Sequence, residues 1–183
     1  LKNKYEKPGN VFLGMLHRLD RPVTGIVLFA KTSKAAARLS EQFRKHTIRK
    51  VYNALVIGVP ENKSGTLVNY LRKDTDVNKT TVFDREVPGA LRSELDYEVV
   101  ESFSQVSLLK IILKTGRSHQ IRAQLSHMGF TIIGDVKYGA TISLNEKGSL
   151  ALCATELSFE HPTTKERIDL KIDYPESWNK FCV

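Results

Sequence analysis

Apolar positions follow two rhythms along this chain. The stretch Ile48 to Ile57 (IRKVYNALVI) alternates, which puts Lys50, Tyr52, Ala54 and Val56 on one face of a strand and Val51, Asn53, Leu55 and Ile57 on the other. Ser93 to Val100 sets Leu95, Tyr97 and Val99 against Glu94, Asp96 and Glu98, and Val106 to Leu113 is nearly continuous apolar, as a central strand is. Leu150 to Phe159 and Arg167 to Ile172 predict two further strands joined by a turn at 160–165, and the run Ile26 to Ala30 predicts a short buried strand. Between Leu67 and Gly89, short apolar runs broken by charges predict a weakly packed hairpin. The helical rhythm occurs twice. Ala36, Leu39 and Phe43 form a stripe over 33–46, capped by Thr32 or Ser33 and with Arg44 and Lys45 in the last turn. Ile121, Leu125 and Met128 do the same over 119–128, with Ser118 as the cap, Gly129 as the stop, and His119, Arg122 and Ser126 on the opposite side. Turns are expected at Lys7 to Asn10 and at 134–139, and a helical turn at 175–183 that docks Trp178 and Phe181. More strands than helices, without βαβ alternation, predict an α+β domain built on a mixed, mostly antiparallel central sheet flanked by helices.

Bulk properties narrow the function classes. A chain of 183 residues fits one domain with a core that needs no staples. Cys153 and Cys182 form no CxxC pair and no cluster with histidine, which excludes zinc sites of the common spacings and fits a reducing compartment. No apolar run approaches the ~20 residues of a membrane span and Leu1 to Tyr5 has no signal-like apolar core, so the expected location is cytoplasmic. Lys and Arg number 28 against 20 Asp and Glu, a net +8 that favours polyanionic partners.

Candidate chemistry concentrates in His17-Arg18-Leu19-Asp20-Arg21-Pro22-Val23-Thr24-Gly25, where an acid stands between arginines in a segment made irregular by Pro22 and Gly25. Flanking cations favour the charged form of an acid. Asp20 is therefore suited to nucleophilic or electrostatic work, such as attack on the anomeric carbon of a sugar or stabilisation of an oxocarbenium-like state there. The second landmark is Thr115-Gly116-Arg117-Ser118-His119-Gln120-Ile121-Arg122 at a helix start. His17 and His119 also leave a metal-free, two-histidine nuclease open.

HRLDRPVTG, KVYNALV, TGRSHQIRAQLSHMG and IIGDVKYG resemble, in order and spacing, the signature blocks of the RluA family of pseudouridine synthases. The resemblance implies a single pseudouridine-synthase-like catalytic domain over 1–183 that isomerises specific uridines in structured ribosomal or transfer RNA, acting as a monomer without cofactor or metal. It places Asp20 on the catalytic aspartate, Tyr52 on the tyrosine that packs on uracil, and Arg122 on the arginine that pairs with the aspartate. Arg18 falls on an arginine that can fill the space left by the flipped nucleotide, and Lys50 and His119 are expected at the substrate. Val23-Thr24-Gly25 stands where the family usually has Thr-Ser-Gly, and Lys7-Pro8-Gly9 lies too near Asp20 to be the family's upstream turn. From this the family's N-terminal strand element is expected to be missing, which keeps a catalytically inactive RNA-binding relative as the alternative.

Overall fold

The computed structural model describes residues 6, 11–144 and 148–182; the turn expected at 7–10 lies outside them. Three two-residue strands come first, β1 (Gly14–Met15), β2 (Thr24–Gly25) and β3 (Phe29–Ala30), followed by helix α1 (Ser33–Arg44). Five longer strands succeed it: β4 (Arg49–Ile57), β5 (Ser64–Asp74), β6 (Lys79–Phe83), β7 (Leu91–Ser102) and β8 (Val106–Leu113). Helix α2 (Gln120–His127), a 3-10 turn at Val136–Tyr138, strands β9 (Leu152–Glu160) and β10 (Arg167–Lys171), and a 3-10 turn at Glu176–Phe181 complete the order.

The main sheet has eight strands, running β10-β9-β4-β8-β7-β5-β6, with β2 added to β9. Every pairing in it is antiparallel except β2 with β9. This is the mixed, mostly antiparallel sheet that the alternating segments predict. The continuous apolar run of β8 is central, and Leu109 and Ile111 on it are fully buried. A side chain of that size buried so completely contributes roughly 2–3 kcal/mol. The hairpin β5–β6 is longer and better paired than its broken apolar pattern predicts, because cross-strand pairs from Leu71 with Val82 to Asp74 with Lys79 carry the register where side-chain burial does not.

Helix α1 forms as its stripe predicts. Thr32 is the N-cap, its hydroxyl accepting the Ala35 amide, and Leu39 is buried against Ile48, Leu157 and Phe159 in a second, smaller core. The tail docks as expected, with Trp178 buried in the main core and stacked on Tyr174. Cys153 is a free, buried strand residue and Cys182 is also free.

Two local expectations fail. The run Ile26 to Ala30 is not a buried strand: only Phe29–Ala30 is extended and paired, with Gly14–Met15, while Val27 and Phe29 are exposed. Only one side of this ribbon is covered, so Ile26, Leu28 and Ala30 pack with α1 and the intervening residues face out. Ser118 is not the cap of α2. His119 occupies that position in the left-handed region (φ 52°, ψ 21°) with no side-chain capping bond, and the Ser118 carbonyl accepts the Thr80 hydroxyl instead. Among the described residues no helix is long and apolar enough to cross a membrane.

Candidate active site

The Asp20 segment is irregular, yet it is pinned at three points. The Val23 amide donates to the Asp20 carbonyl and closes a turn, Gly25 pairs with Ala154 of β9, and the Ile26 amide donates to the Ala154 carbonyl. Gly25 has φ +120°, and a Cβ there would lie 2.4 Å from the Ala154 carbonyl oxygen, so only glycine lets the loop come this close. On the opposite edge of β9, Ala154 pairs with Tyr52 of β4. One residue thus carries the aspartate loop on one side and the tyrosine strand on the other, and residues 32 apart in sequence reach a common site.

His17 supplies a further tether. Its Nε2 accepts the Leu28 amide at 3.0 Å, and its ring packs on Phe43 of α1 at 5.1 Å between centroids. Burial and then the nearby Lys50 charge lower the His17 pKa, so the ring is held in the neutral form this hydrogen bond requires.

Asp20, Tyr52, Arg122, Arg18, Lys50 and His119 all line one cavity of about 400 Å³, floored by Leu113, Ile121 and Leu152. Arg122 Nη1 donates to Asp20 Oδ2 at 3.2 Å, and His119 Nε2 lies 3.8 Å from the same oxygen. Asp20 retains partial solvent access, whereas the Arg122 side chain is only 6% exposed. Burial, and after it the Asp20 charge, push the Tyr52 phenol up to about 12. At neutral pH only roughly 1 in 10⁵ molecules then holds a tyrosinate, which suits Tyr52 to stacking and proton donation rather than to service as a base. Burial also lowers the pKa of Lys50, whose ammonium faces the cavity from the same side of β4. Arg18 is exposed at the rim.

A second layer holds the first. Arg122 gives Nε and Nη2 to the two oxygens of Asp135 at 2.7 Å each, and Asp135 is buried. Burial opposes the Arg122 charge, but the hydrogen bonds and charge of Asp135, with those of Asp20 added, leave its pKa raised. His119 Nδ1 lies 3.0 Å from the Tyr138 hydroxyl, which accepts the Thr80 amide of β6 at 2.8 Å, and the Tyr138 ring lies under the Arg122 guanidinium. Asp135 and Tyr138 are three residues apart on one tight turn; Arg122 and His119 are three apart at the start of one helix. The turn therefore braces both side chains that address Asp20.

Sequence reasoning did not single out Asp135, Tyr138 or Thr80. The GDVKYG stretch reads as turn-forming by composition, and its acid and phenol acquire meaning only once the turn is folded against α2. Among the described residues, no three His, Cys, Asp or Glu side chains gather as a group that could hold a metal ion.

Comparison with known proteins gives the family. The chain is 36% identical over 179 residues to an uncharacterized RNA pseudouridine synthase of Chlorobaculum parvum, covering 89% of this chain and 55% of that protein. It is 34% identical over 179 residues to ribosomal large subunit pseudouridine synthase C of Vibrio vulnificus, covering 95% and 56%. The chain thus spans about half the length of these relatives. In fold it is similar to human RNA pseudouridylate synthase domain containing 4, with a TM-score of 0.77 and 24% identity over 93% of this chain and 76% of that one. Residues 1–127 match the family model described as RNA pseudouridylate synthase, and with the relatives' identity over nearly the whole chain this establishes that the protein belongs to the RNA pseudouridylate synthase family.

Proposed function

We propose that this protein isomerises uridine to pseudouridine in structured RNA, ribosomal or transfer, with residues 1–183 working as one catalytic domain. The observation that carries this reading is the Asp20 carboxylate, hydrogen-bonded by a single Arg122 nitrogen and sharing a basic cavity with the neutral phenol of Tyr52. In the isomerisation the N1–C1′ bond breaks and a C5–C1′ bond forms, while C5 loses a proton and N1 gains one. Nothing is oxidised or reduced. Asp20 acts on the ribose and base of a flipped uridine, Tyr52 packs on the uracil, and Arg122 holds the carboxylate in place between the two half-reactions.

The uridine must leave its stack, at a cost of a few kcal/mol. Aromatic stacking on Tyr52 and phosphate contacts from Arg18 and Lys50 offset it. Asp20, Arg122 and Asp135 together carry one net negative charge, so the network that ends at Asp20 stays anionic where positive charge develops on the sugar, while Arg18 and Lys50 are cationic toward the RNA backbone. The reading takes the protein as a cytoplasmic monomer, with all six proposed site residues on one chain.

The test is incubation with unmodified ribosomal and transfer RNA transcripts, carbodiimide labelling and primer extension. New stops are expected with the native protein and none with Asp20→Asn, whose RNA affinity stays within a few-fold because one charge among many phosphate contacts matters little to binding. RNA binding without stops would leave the inactive relative, and shortened RNA a nuclease; either sinks this reading.

A further inference from the structure

Resting on the isomerase reading, the contacts around His119 deepen it. His119 is a non-glycine residue in the left-handed region, 9% exposed, at the start of α2. A backbone held there signals that something fixes the ring's direction. Its Nδ1 faces the Tyr138 hydroxyl at 3.0 Å and its Nε2 faces Asp20 Oδ2 at 3.8 Å.

The Tyr138 hydroxyl has one proton and already accepts the Thr80 amide at 2.8 Å. That proton can go to His119 Nδ1 at 3.0 Å or to the Thr80 carbonyl at 3.4 Å. In the second case the imidazole donates from Nδ1 and turns the lone pair of Nε2 toward a carboxylate, an unfavourable juxtaposition. The 3.0 Å bond to Tyr138 forms in either case, but only in the first, where Nδ1 accepts the phenolic proton, does Nε2 bear the hydrogen that suits a neighbouring carboxylate. The imidazolium is disfavoured by burial, which outweighs the opposing pull of Asp20. Arg122 and Lys137 add to that disfavour, and Asp135 opposes it.

We propose that Tyr138 fixes His119 as the Nε2–H tautomer, making His119 a positioning residue that presents a hydrogen to Asp20 Oδ2. Arg122 addresses the same oxygen, so the two donors leave Oδ1 as the atom that meets the ribose. At 3.8 Å the His119 contact is longer than a hydrogen bond, within the reach from which catalytic contacts commonly tighten once substrate is bound. The strand that supplies Thr80 thereby becomes part of the catalytic scaffold.

The experiment is a long-range nitrogen–proton correlation spectrum of the full chain labelled at histidine, with His119 assigned by its loss in His119→Gln. A neutral ring protonated at Nε2 is expected at neutral pH, and Tyr138→Phe should let an Nδ1–H population appear. An Nδ1–H ring or an imidazolium in the native protein overturns the proposal, and this readout holds even if Tyr138→Phe does not fold. Rates on the transcripts give a second decision. Asparagine tolerates the left-handed backbone best and reaches only the Nδ1 position, whereas glutamine reaches Nε2. His119→Gln should therefore turn over roughly tenfold faster than His119→Asn, the rate worth of about one hydrogen bond. Equal rates, or a faster asparagine variant, reduce His119 to a backbone role and sink the proposal. If the native protein yields no pseudouridine, the isomerase reading fails while the spectrum still decides the tautomer.

Discussion

Asp135 engages Arg122 through two hydrogen bonds of 2.7 Å, whereas Asp20 receives a single one of 3.2 Å from the same guanidinium. The stronger pairing is therefore with the residue that does not face the cavity opening. Desolvating an arginine is tolerated only when its donors are matched, and Asp135 matches two of them with the fork geometry of a carboxylate. Of the three N–H groups that remain, one on Nη1 is aimed at Asp20.

Removal of Arg122 leaves the Asp135 charge buried and unpaired, and removal of Asp135 leaves the buried guanidinium with only its longer contact to Asp20. Asp135→Ala and Arg122→Ala are each expected to cost about 3–5 kcal/mol of stability. The double variant Arg122→Met with Asp135→Leu should regain much of that loss without regaining turnover, because an apolar pair satisfies the core but presents nothing to Asp20. Denaturant melts and the primer-extension assay check both halves. Single variants of native stability would show that the pairing does not carry the load described here.

Tyr52 gives a pH signature. Its folded-state pKa of about 12 lies above the ordinary 10.0, so the folded protein holds this proton more tightly than the unfolded chain does. Its contribution to stability is complete below pH ~10 and is lost as pH rises through about 12. The two-unit difference corresponds to about 2–3 kcal/mol. Tyr52→Phe should flatten the alkaline limb of the stability curve and remove a late-titrating phase from the tyrosinate absorbance. An unchanged titration would mean that the phenol is not shielded as its position beneath the cavity requires.

How far this was legible from the sequence depends on which residue is considered. The face shared by Lys50 and Tyr52 follows from strand alternation, and both line the cavity. The position of Asp20 follows from its loop and its motif. Asp135 was not legible, since an acid after glycine in a turn-rich stretch satisfies ordinary turn chemistry and its partner lies 13 residues away on a helix. The buried environment of α2 was also hidden: the pattern over 119–128 marks one apolar stripe and gives no sign that polar residues beside it are covered, whereas Gln120, Arg122 and Gln124 are buried and bonded to Glu94, Asp135 and Asn69 respectively. The exposure of Val27 and Phe29 was misjudged because an apolar run does not say how many of its sides are covered.

His17 predicts acid sensitivity of the catalytic loop. Burial and the Lys50 charge lower its folded-state pKa, so the unfolded chain binds a proton more readily than the folded one. The sign follows: stability from this group is present above the ordinary 6.5 and falls as pH drops through the lower folded value. Protonation also abolishes acceptance of the Leu28 amide. His17→Gln, which can accept the same amide without titrating, should show a shallower loss of stability between neutral and mildly acidic pH. A slope equal to that of the native protein would place the acid sensitivity elsewhere.

Gly25 sets the limit on how closely the aspartate loop can approach the sheet. Its φ of +120° lies outside what an L side chain adopts easily, and an added methyl would lie 2.4 to 2.8 Å from the backbone of Ala154. Those are backbone atoms of a strand paired on its far edge with β4, so they cannot yield without displacing Tyr52. Gly25→Ala is therefore expected to cost on the order of 3 kcal/mol and to lower turnover by more than its effect on RNA affinity. Thr24→Ala provides the comparison, since it keeps the backbone pairing with Cys153 and gives up only the hydroxyl's contact with the Cys153 thiol. If Gly25→Ala melts and turns over like Thr24→Ala, the register of the aspartate loop on β9 does not set the distance between Asp20 and Tyr52.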